Sequence, residues 1–440
     1  MLRRLFSFHL LVAMLWFALG VVAHAFEIRE VKSPGGIKAW LVEEHAIPLI
    51  AMSYSFGSGA ASEPADRVGL TYFLAGMLDE GAGDLDSEAF RKQRDELSAR
   101  LAFQSTADHF SGSFQALTEN RDRSFDLLRL ALASPRFDPE PLERVRNQIL
   151  LGLQDERQDP EQIAFDDWRE RIFLGHPYAR NGHGTEDGIR ATAASDLRRR
   201  AADLFSRDKL LITVVGDIDA KTLGILLDRT FGSLPAVGKP LEVPDAVLAK
   251  GPSLTIVDRD IPQSIIQFGQ SGILRSDPDF MAAYIMNDIL GGSGFGSRLT
   301  DEIREKRGLS YSVYTDLLPL HHGAAMYGGA ATRNDRVAET ISLIKSELKR
   351  FATDGPTADE LKDDQTYLTG SYALRFDTST KIADQLLGIQ EQNLGIDYVD
   401  KRNSLIEAVT LEDIKRVARR LIDADALIIT IVGKPEGLKQ

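Results

Sequence analysis

Apolar and polar residues follow two different periods along the chain, and segments of each period are clustered rather than strictly alternating. Short runs rich in β-branched residues predict strands at 37–42, 49–56, 254–257 and 264–270. Apolar residues spaced three or four positions apart predict helices at 121–132, 142–153, 337–351 and 358–368. This clustering favours an α+β fold, in which helices cover a mostly antiparallel sheet, over a doubly wound fold.

One pattern occurs twice in the chain. Residues 196–216 read DLRRRAADLFSRDKLLITVVG, and residues 413–433 read DIKRVARRLIDADALIITIVG. The two segments align without a gap at an offset of 217 positions (413 − 196), which places Gly216 on Gly433. Each reads as a helix, a short polar turn and an apolar strand. Two copies in the same order indicate a duplicated domain rather than a solenoid.

A second, fainter echo supports the duplication and helps to place the boundary. Ile47-Pro48 and Ile261-Pro262 each precede an apolar run, at an offset of 214 positions (261 − 47). The segment between the two copies is rich in turn-forming proline and glycine. The sequence therefore predicts an N-terminal domain at 26–235, a linker at 236–250 and a homologous C-terminal domain at 251–440.

Composition narrows the class of protein. The chain has 440 residues, of which 43% are hydrophobic and 27% are charged, values typical of a globular protein with sizeable cores. Its formal net charge of −13 argues against nucleic acid as a partner, since such binding usually needs a basic face. The absence of cysteine excludes disulfides, thiolate metal sites and cysteine nucleophiles.

The first 25 residues resemble a secretory signal. Arg3 and Arg4 precede an apolar run at 10–22, and the small residues of Ala23-His24-Ala25 suit a cleavage site before Phe26. The run is short for a membrane span, although a retained anchor is the alternative. We therefore expect an exported protein, periplasmic in a bacterium, with no membrane span after cleavage of the signal.

The segment at 69–81 reads GLTYFLAGMLDEG and resembles a zinc-binding helix that has lost its ligands. The pitrilysin, insulinase and mitochondrial processing peptidase family has Gly-Leu-x-His-Phe-Leu-Glu-His-Met-Leu here. Two histidines four residues apart on a helix can grip one zinc ion, and the glutamate activates its bound water. In this chain Tyr72 and Gly76 stand at the histidine positions and Ala75 at the glutamate position.

The family takes a further glutamate ligand from a later helix, upstream of an Asp-Pro pair. Counting back from Asp159-Pro160 places that position at Gly152. Hence the resemblance implies that Tyr72, Ala75, Gly76 and Gly152 form a degenerate site that binds no metal. Neighbouring acidic residues offer an alternative ligand set, although acids at helix ends are more often solvated: Asp79, Glu80, Asp155 and Glu156.

The second half of the chain contains a segment that resembles a sequence signature of the same family more completely. Residues 287–314 read NDILGGSGFGSRLTDEIREKRGLSYSVY. This segment is similar to the family's C-terminal signature. In the family, an arginine and a tyrosine seven residues apart reach the substrate, and Arg304 and Tyr311 match them. Guanidinium and phenol groups can stabilise the oxyanion of peptide hydrolysis. The alternative is structural, since arginine suits a helix C-terminus and tyrosine suits a strand.

The resemblance implies a short-type subunit whose partner completes the active site. In that interpretation this chain binds no cofactor and lends Arg304 and Tyr311, in trans, to a homologous zinc-bearing subunit of a heterodimeric metalloendopeptidase. The substrate would be an unfolded peptide held as an extra strand on a sheet edge. The alternatives are a catalytically silent scaffold or peptide-binding subunit, and a stand-alone enzyme with an unfamiliar site.

Overall fold

The computed structural model describes residues 26–239, 241–292 and 296–438. The expected signal segment at 1–25 and residues 293–295 of the Gly-rich turn lie outside the described residues. The described chain forms two sheets, one from each half, and helices cover both. The α+β fold class predicted from the sequence is thereby confirmed.

The first half contains a sheet of six strands within the described residues, in the order β1-β2-β6-β3-β5-β4. All neighbouring pairs are antiparallel except β2 and β6. The strands are β1 (Arg29–Lys32), β2 (Lys38–Glu43), β3 (Leu49–Phe56), β4 (Arg100–Ser105), β5 (Phe110–Leu117) and β6 (Leu210–Gly216). The helices are α1 (Leu70–Ala75), α2 (Ser87–Glu96), α3 (Arg121–Ala133), α4 (Pro139–Glu156), α5 (Pro160–Ile172), α6 (Glu186–Ala191), α7 (Ala194–Leu204) and α8 (Ala220–Phe231).

The second half repeats this arrangement with five strands in its described part, in the order β7-β11-β8-β10-β9. Only β11 and β7 are parallel neighbours there. The strands are β7 (Ser253–Asp258), β8 (Gln263–Ser271), β9 (Ser310–Leu320), β10 (Gly323–Arg333) and β11 (Ile428–Gly433). The helices are α9 (Phe280–Gly291), a π-helix (Thr300–Glu305), α10 (Val337–Asp354), α11 (Ala358–Tyr372), α12 (Ser379–Glu391), α13 (Tyr398–Glu407) and α14 (Leu411–Leu421).

The sequence repeat has a structural counterpart at both ends. At its start, Asp196 and Asp413 occupy the third position of helices α7 and α14, and each carboxylate accepts the backbone N–H of the residue that caps its helix. At its end, Gly216 and Gly433 have φ angles of 142° and 146°. A Cβ atom at Gly216 would lie 2.1 Å from the carbonyl oxygen of Leu49, so both the backbone conformation and the close approach require glycine.

Helix α5 of the first half packs against the sheet of the second half. Trp168 and Ile172 are fully buried in a cluster that includes Ile428 of β11. The Thr430 hydroxyl donates to the Asp167 carboxylate over 2.7 Å. Burial of an aromatic and an aliphatic side chain on this face contributes several kcal/mol. The first half therefore supplies part of the second half's core.

Helix α12 makes the reciprocal contact with the first sheet. Ala383 and Leu386 are fully buried against Val42 and Val215. The Gln390 side-chain amide donates to the Thr213 hydroxyl over 2.7 Å, at the repeat position that matches Thr430. Packing between a helix of one half and the sheet of the other therefore crosses the predicted domain boundary in both directions. The domain limits at 235 and 251 stay predictions.

Candidate functional site: a degenerate zinc cleft and an Arg–Tyr pair

The structure brings the four substituted zinc positions together. Tyr72, Ala75, Gly76 and Gly152 all line one cleft of about 440 Å³ between α1, α4 and the edge strand β4. Tyr72 and Ala75 lie on α1, and Gly152 lies on the exposed side of α4. Positions that are 76 residues apart in the chain (152 − 76) thus share one surface.

The helix that carries these positions is shorter than the sequence pattern predicts. Helix α1 ends at Ala75, and Gly76 is its C-terminal cap rather than a residue of its interior. The backbone tightens there, because the N–H of Met77 bonds the carbonyl of Leu74, three residues back. The helix-propensity cost expected for a mid-helix glycine therefore applies to Gly152 within α4 but not to Gly76.

A buried network holds α1 in place. The Glu63 carboxylate accepts the N–H of Gly69 over 2.9 Å and also that of Thr71, so it caps the start of the helix. The Arg200 guanidinium donates to the Thr71 hydroxyl over 2.9 Å. Burial raises the pKa of Glu63 despite these hydrogen bonds. Buried hydrogen bonds therefore hold α1 in place although the family's zinc ligands are absent from it.

Aromatic and ionic contacts occupy the wall of the cleft. The Tyr72 ring packs against the His183 imidazole at a tilt of 41°, with ring centroids 4.6 Å apart. His183 Nδ1 lies 2.5 Å from the Glu156 carboxylate, which also accepts the Asn181 amide over 3.0 Å. Glu156 belongs to the alternative acidic ligand set named from the sequence, whereas His183 was not a predicted site residue, because it reaches the cleft from a loop far from α1 in the chain.

The geometry offers the alternative acidic ligands no common metal site. Glu80 lies 2.5 Å from the Arg144 guanidinium, and Asp79 lies 3.4 Å from Arg94. Burial raises the pKa of Asp79. Among the residues that the structure describes, no three His, Asp or Glu side chains are placed to hold a metal ion. A phenol, a methyl group and two glycines do not fit zinc.

Arg304 and Tyr311 lie together, as the sequence spacing predicts. The Arg304 guanidinium carbon is 4.8 Å from the centre of the Tyr311 ring, in a cation–π contact. The π-helix carries Arg304, the chain reverses at Gly308 with a φ of 60°, and Tyr311 opens the edge strand β9. Tyr311 is 84% exposed, which is unusual for a tyrosine that serves only to fill a core.

Ion pairs brace the segment that presents this pair. The Glu302 carboxylate lies 2.7 Å from Lys306 and 2.6 Å from Arg307. Hydrogen bonds from these two cations lower the pKa of Glu302 to about 2, so the carboxylate stays ionised at any physiological pH. Both Arg304 and Tyr311 line a cleft of about 590 Å³, together with further arginines.

The two clefts are separate surfaces of one chain. No described residue lines both of them. Each nevertheless lies beside a terminal strand of its sheet, β4 for the degenerate cleft and β9 for the Arg–Tyr cleft. A terminal strand leaves backbone N–H and C=O groups unpaired along one side, and such edges can accept an extended peptide.

Comparison with known proteins identifies the fold and the family. Residues 43–186 match the family described as Insulinase (Peptidase family M16), and residues 193–368 match the Peptidase M16 inactive domain. The chain is 26% identical over 394 residues to the non-peptidase homolog YmxG of Helicobacter pylori, covering 89% of this chain and 90% of that protein. It is 24% identical over 416 residues to the uncharacterized zinc protease YmxG of Bacillus subtilis, covering 92% and 98%.

Solved structures agree. The crystal structure of a peptidase M16 inactive domain from Pseudomonas fluorescens superposes with a TM-score of 0.87 and 25% identity, covering 94% of this chain and 100% of that one. A protease from Helicobacter pylori shares the fold, with a TM-score of 0.84 and 16% identity, covering 92% and 99%. No helix in the described part of the chain is long and apolar enough to cross a membrane.

The matches span both halves of the chain and extend over nearly the full length of the relatives. They confirm the resemblance inferred from the two sequence signatures. The family's zinc-binding histidines and glutamates are replaced here by Tyr72, Ala75, Gly76 and Gly152. The chain therefore belongs to the M16 peptidase family, as a short, non-catalytic type of subunit that lacks the His-x-x-Glu-His zinc motif.

Proposed function

We propose that this chain is the zinc-free half of a heterodimeric metalloendopeptidase and that it lends Arg304 and Tyr311 to a homologous subunit carrying His-x-x-Glu-His. The observation that carries the proposal is the contrast between the two clefts. Every zinc-binding position has been replaced in one, whereas in the other a stacked Arg–Tyr pair is presented on an exposed strand edge.

The chemistry follows from charge. Hydrolysis of a peptide bond places negative charge on the carbonyl oxygen, and donors fixed in advance around that oxygen lower the barrier. The guanidinium of Arg304 and the hydroxyl of Tyr311 are such donors. The stacking contact restricts both side chains, so less conformational entropy is lost when substrate binds. Zinc would come from the partner subunit.

The substrate of the proposed complex is an unfolded peptide. Strand β9 begins next to Tyr311 and has a neighbour on one side only within the described sheet. An extended peptide added at this edge would pass the Arg–Tyr pair and could bond the strand through its backbone. Main-chain recognition of this kind tolerates many sequences, as an endopeptidase for unfolded chains requires.

The site of action we propose is the bacterial periplasm. The proposal rests on residues 1–25, where two arginines precede an apolar run and small residues precede Phe26. N-terminal sequencing of the protein recovered from its host tests this part: a mature chain beginning at Phe26 supports export, whereas an intact Met1 terminus in the cytoplasmic fraction contradicts it.

Co-purification tests the heterodimer. The native protein is isolated under mild conditions, its partners are identified by mass spectrometry, and zinc and peptidase activity are measured on the complex and on each subunit alone. We expect a partner with an intact zinc motif and activity only in the pair. A stable pair whose activity is unchanged when this chain is removed would indicate the alternative, a silent scaffold or peptide-binding subunit.

A further inference from the structure

A second-half pocket of about 360 Å³ lies between α9, α12, α13 and strand β9, away from both clefts described above. Its volume falls within the range of small-ligand sites. Three arginines and three tyrosines line it, together with apolar side chains from the same elements: Arg275, Arg375, Arg402, Tyr284, Tyr372 and Tyr398. The sequence separates the arginines by up to 127 positions (402 − 275), so only the fold brings them together.

Arg402 is the informative residue, because its side chain is buried and forms no salt bridge with an acidic side chain among the described residues. It is 4% exposed and donates to the carbonyl of Leu368 over 2.7 Å and to the Asn403 side chain over 3.2 Å. Its guanidinium carbon lies 4.3 Å from the Tyr372 ring centre. These contacts fix its orientation but leave its charge unneutralised. A buried guanidinium without a counter-ion is costly, and an anion in the pocket would offset that cost.

The other two arginines share this lack of an acidic partner. Arg275 donates to the Tyr398 hydroxyl over 2.9 Å, and its guanidinium carbon lies 4.3 Å from the Phe280 ring centre. Arg375 is exposed at the pocket rim. In the described chain, none of Arg275, Arg375 and Arg402 forms a salt bridge with an aspartate or glutamate. Planar guanidinium forks of this kind suit a bidentate oxyanion.

The same pocket contains two side chains that can accept a hydrogen bond from a ligand. Asn287 is 6% exposed, its amide nitrogen donates to the Thr315 carbonyl over 3.2 Å, and its Oδ1 has no hydrogen-bond partner among the described atoms. Asp316 also lines the pocket and accepts the Leu317 N–H over 2.8 Å. A ligand that satisfies all of these groups carries both an oxyanion and an N–H.

We propose that this pocket binds a free α-carboxylate with its adjacent N–H, as found at the C-terminus of a peptide and in an amino acid. The carboxylate pairs with Arg402 and Arg275, the N–H donates to Asn287 Oδ1, and the side chain packs on the tyrosine rings. Ionised phosphate fits less well, because it brings no N–H for Asn287 and places its charge beside Asp316. The proposal is independent of the role of Arg304 and Tyr311.

Titration calorimetry on the intact chain tests the proposal with matched probes. N-acetyl-phenylalanine presents the carboxylate, its C-terminal amide lacks the charge, and inorganic phosphate offers an oxyanion alone. We expect the acid to bind and the amide to bind at least about tenfold more weakly, since a charge-assisted bidentate contact is lost. Free phenylalanine and a short peptide ending in phenylalanine then distinguish an amino acid from a peptide C-terminus as the source of the carboxylate.

Variants locate the binding. Arg275→Met removes one of the two cations that pair with the carboxylate and should weaken binding of the acid about tenfold, and Arg402→Lys keeps the charge but loses the fork and should also weaken it. Arg419→Met, exposed on α14 and outside the pocket, is the control and should bind like the parent. Equal binding of acid and amide, no binding of the acid, phosphate binding as tightly as the acid, or indifference to Arg275→Met would each overturn the proposal.

Discussion

The ring of Tyr72 packs against the imidazole of His183 at a centroid distance of 4.6 Å and a tilt of 41°, at the position where a zinc-binding relative has its first histidine. On its other side, His183 Nδ1 lies 2.5 Å from the Glu156 carboxylate. The only nearby histidine and a nearby acid in the described cleft are therefore engaged with each other and with the phenol. This arrangement turns the lost zinc site into a packed wall.

The first prediction is that the purified chain holds no stoichiometric zinc and hydrolyses peptides negligibly. The reason is the donor set, because a phenol, a methyl group and two glycines supply no zinc ligands at neutral pH. Elemental analysis after dialysis checks the first part, with an M16 subunit that has an intact motif as the positive control. About one tightly held zinc per chain would contradict it.

The second prediction separates the two glycines of the cleft. Gly152 is exposed inside α4, and a Cβ atom there would meet nothing within 4 Å. Gly152→Ala should therefore raise the free energy of unfolding by about 0.5 to 1 kcal/mol. Gly76→Ala should give little or no gain, because Gly76 caps α1 and its Cβ would lie 3.2 Å from Val145. Urea denaturation of both variants measures the free energy of unfolding. Equal gains in this free energy would show that α1 extends past Ala75.

The third prediction concerns the Arg–Tyr pair in the assembled heterodimer. Tyr311→Phe keeps the ring that stacks on Arg304 and removes only the hydroxyl, and Arg304→Ala removes the cation. Each should lower turnover by roughly 100- to 1000-fold, since one oxyanion donor is worth about 3 to 4 kcal/mol, while assembly stays intact. Some effect on substrate binding should accompany the loss of rate.

Arg333→Ala is the matched control for that experiment. Arg333 lines the same cleft, but its guanidinium is paired with Asp335 over 2.7 Å. It should leave turnover within about threefold of the parent, as expected for an exposed ion pair. Steady-state kinetics on the reconstituted pair provides the measurement. If Tyr311→Phe and Arg304→Ala both cleave as fast as the parent, the chain is a scaffold.

The fourth prediction is a pH dependence of stability centred on His109. Both ring nitrogens of His109 are buried without a hydrogen-bond partner among the described atoms, and burial lowers its pKa from 6.5. Glu391 and Asp108 oppose this shift, while His321, with its ring centre 4.8 Å away, adds to it. At His109 the unfolded chain therefore binds an extra proton as the pH falls below 6.5, so the contribution of this residue to stability should decrease from pH 7 towards pH 5.

Thermal unfolding across this pH range checks the sign. His109→Gln removes the titrating group at similar size and should lose less stability than the parent between pH 7 and pH 5, and His45→Gln is the control because His45 is exposed and its pKa is raised by Asp217. The His45→Gln control should keep the contribution of His109 to the pH dependence of stability. Asp364, whose pKa burial raises to about 9, gives the opposite slope in the parent and in both variants, so the comparison between proteins decides. A His109→Gln curve with the same slope as the parent would contradict the assignment.

The fifth prediction follows from the exchanged helices. A polypeptide of residues 26–235 leaves Val42 and Val215 without the cover of α12, and a polypeptide of residues 251–440 leaves Ile428 without α5. Each half alone should aggregate or bind a hydrophobic dye, and co-expression should restore a soluble pair. Light scattering and dye fluorescence provide the measurement. Two halves that unfold cooperatively as separate monomers would show that the exchange is dispensable.

Local sequence determined much of this protein. The repeat at 196–216 and 413–433 indicated the duplication, because hydrophobic period and capping acids act within a few residues of each other. The predicted strand at 49–56 agrees with β3 (Leu49–Phe56), and the predicted helix at 121–132 agrees with α3 (Arg121–Ala133). The substituted zinc positions and the seven-residue spacing of Arg304 and Tyr311 were likewise visible without a structure.

Tertiary structure alone decided which surfaces meet. The contact of His109 with His321, the approach of His183 to Tyr72 and the gathering of three arginines around one pocket join segments distant in the chain. The end of α1 at Ala75 and the exchange of α5 and α12 also depend on neighbours outside the local sequence. Periodicity shows which face of an element is apolar, but the partner that buries that face is selected by packing of the whole chain.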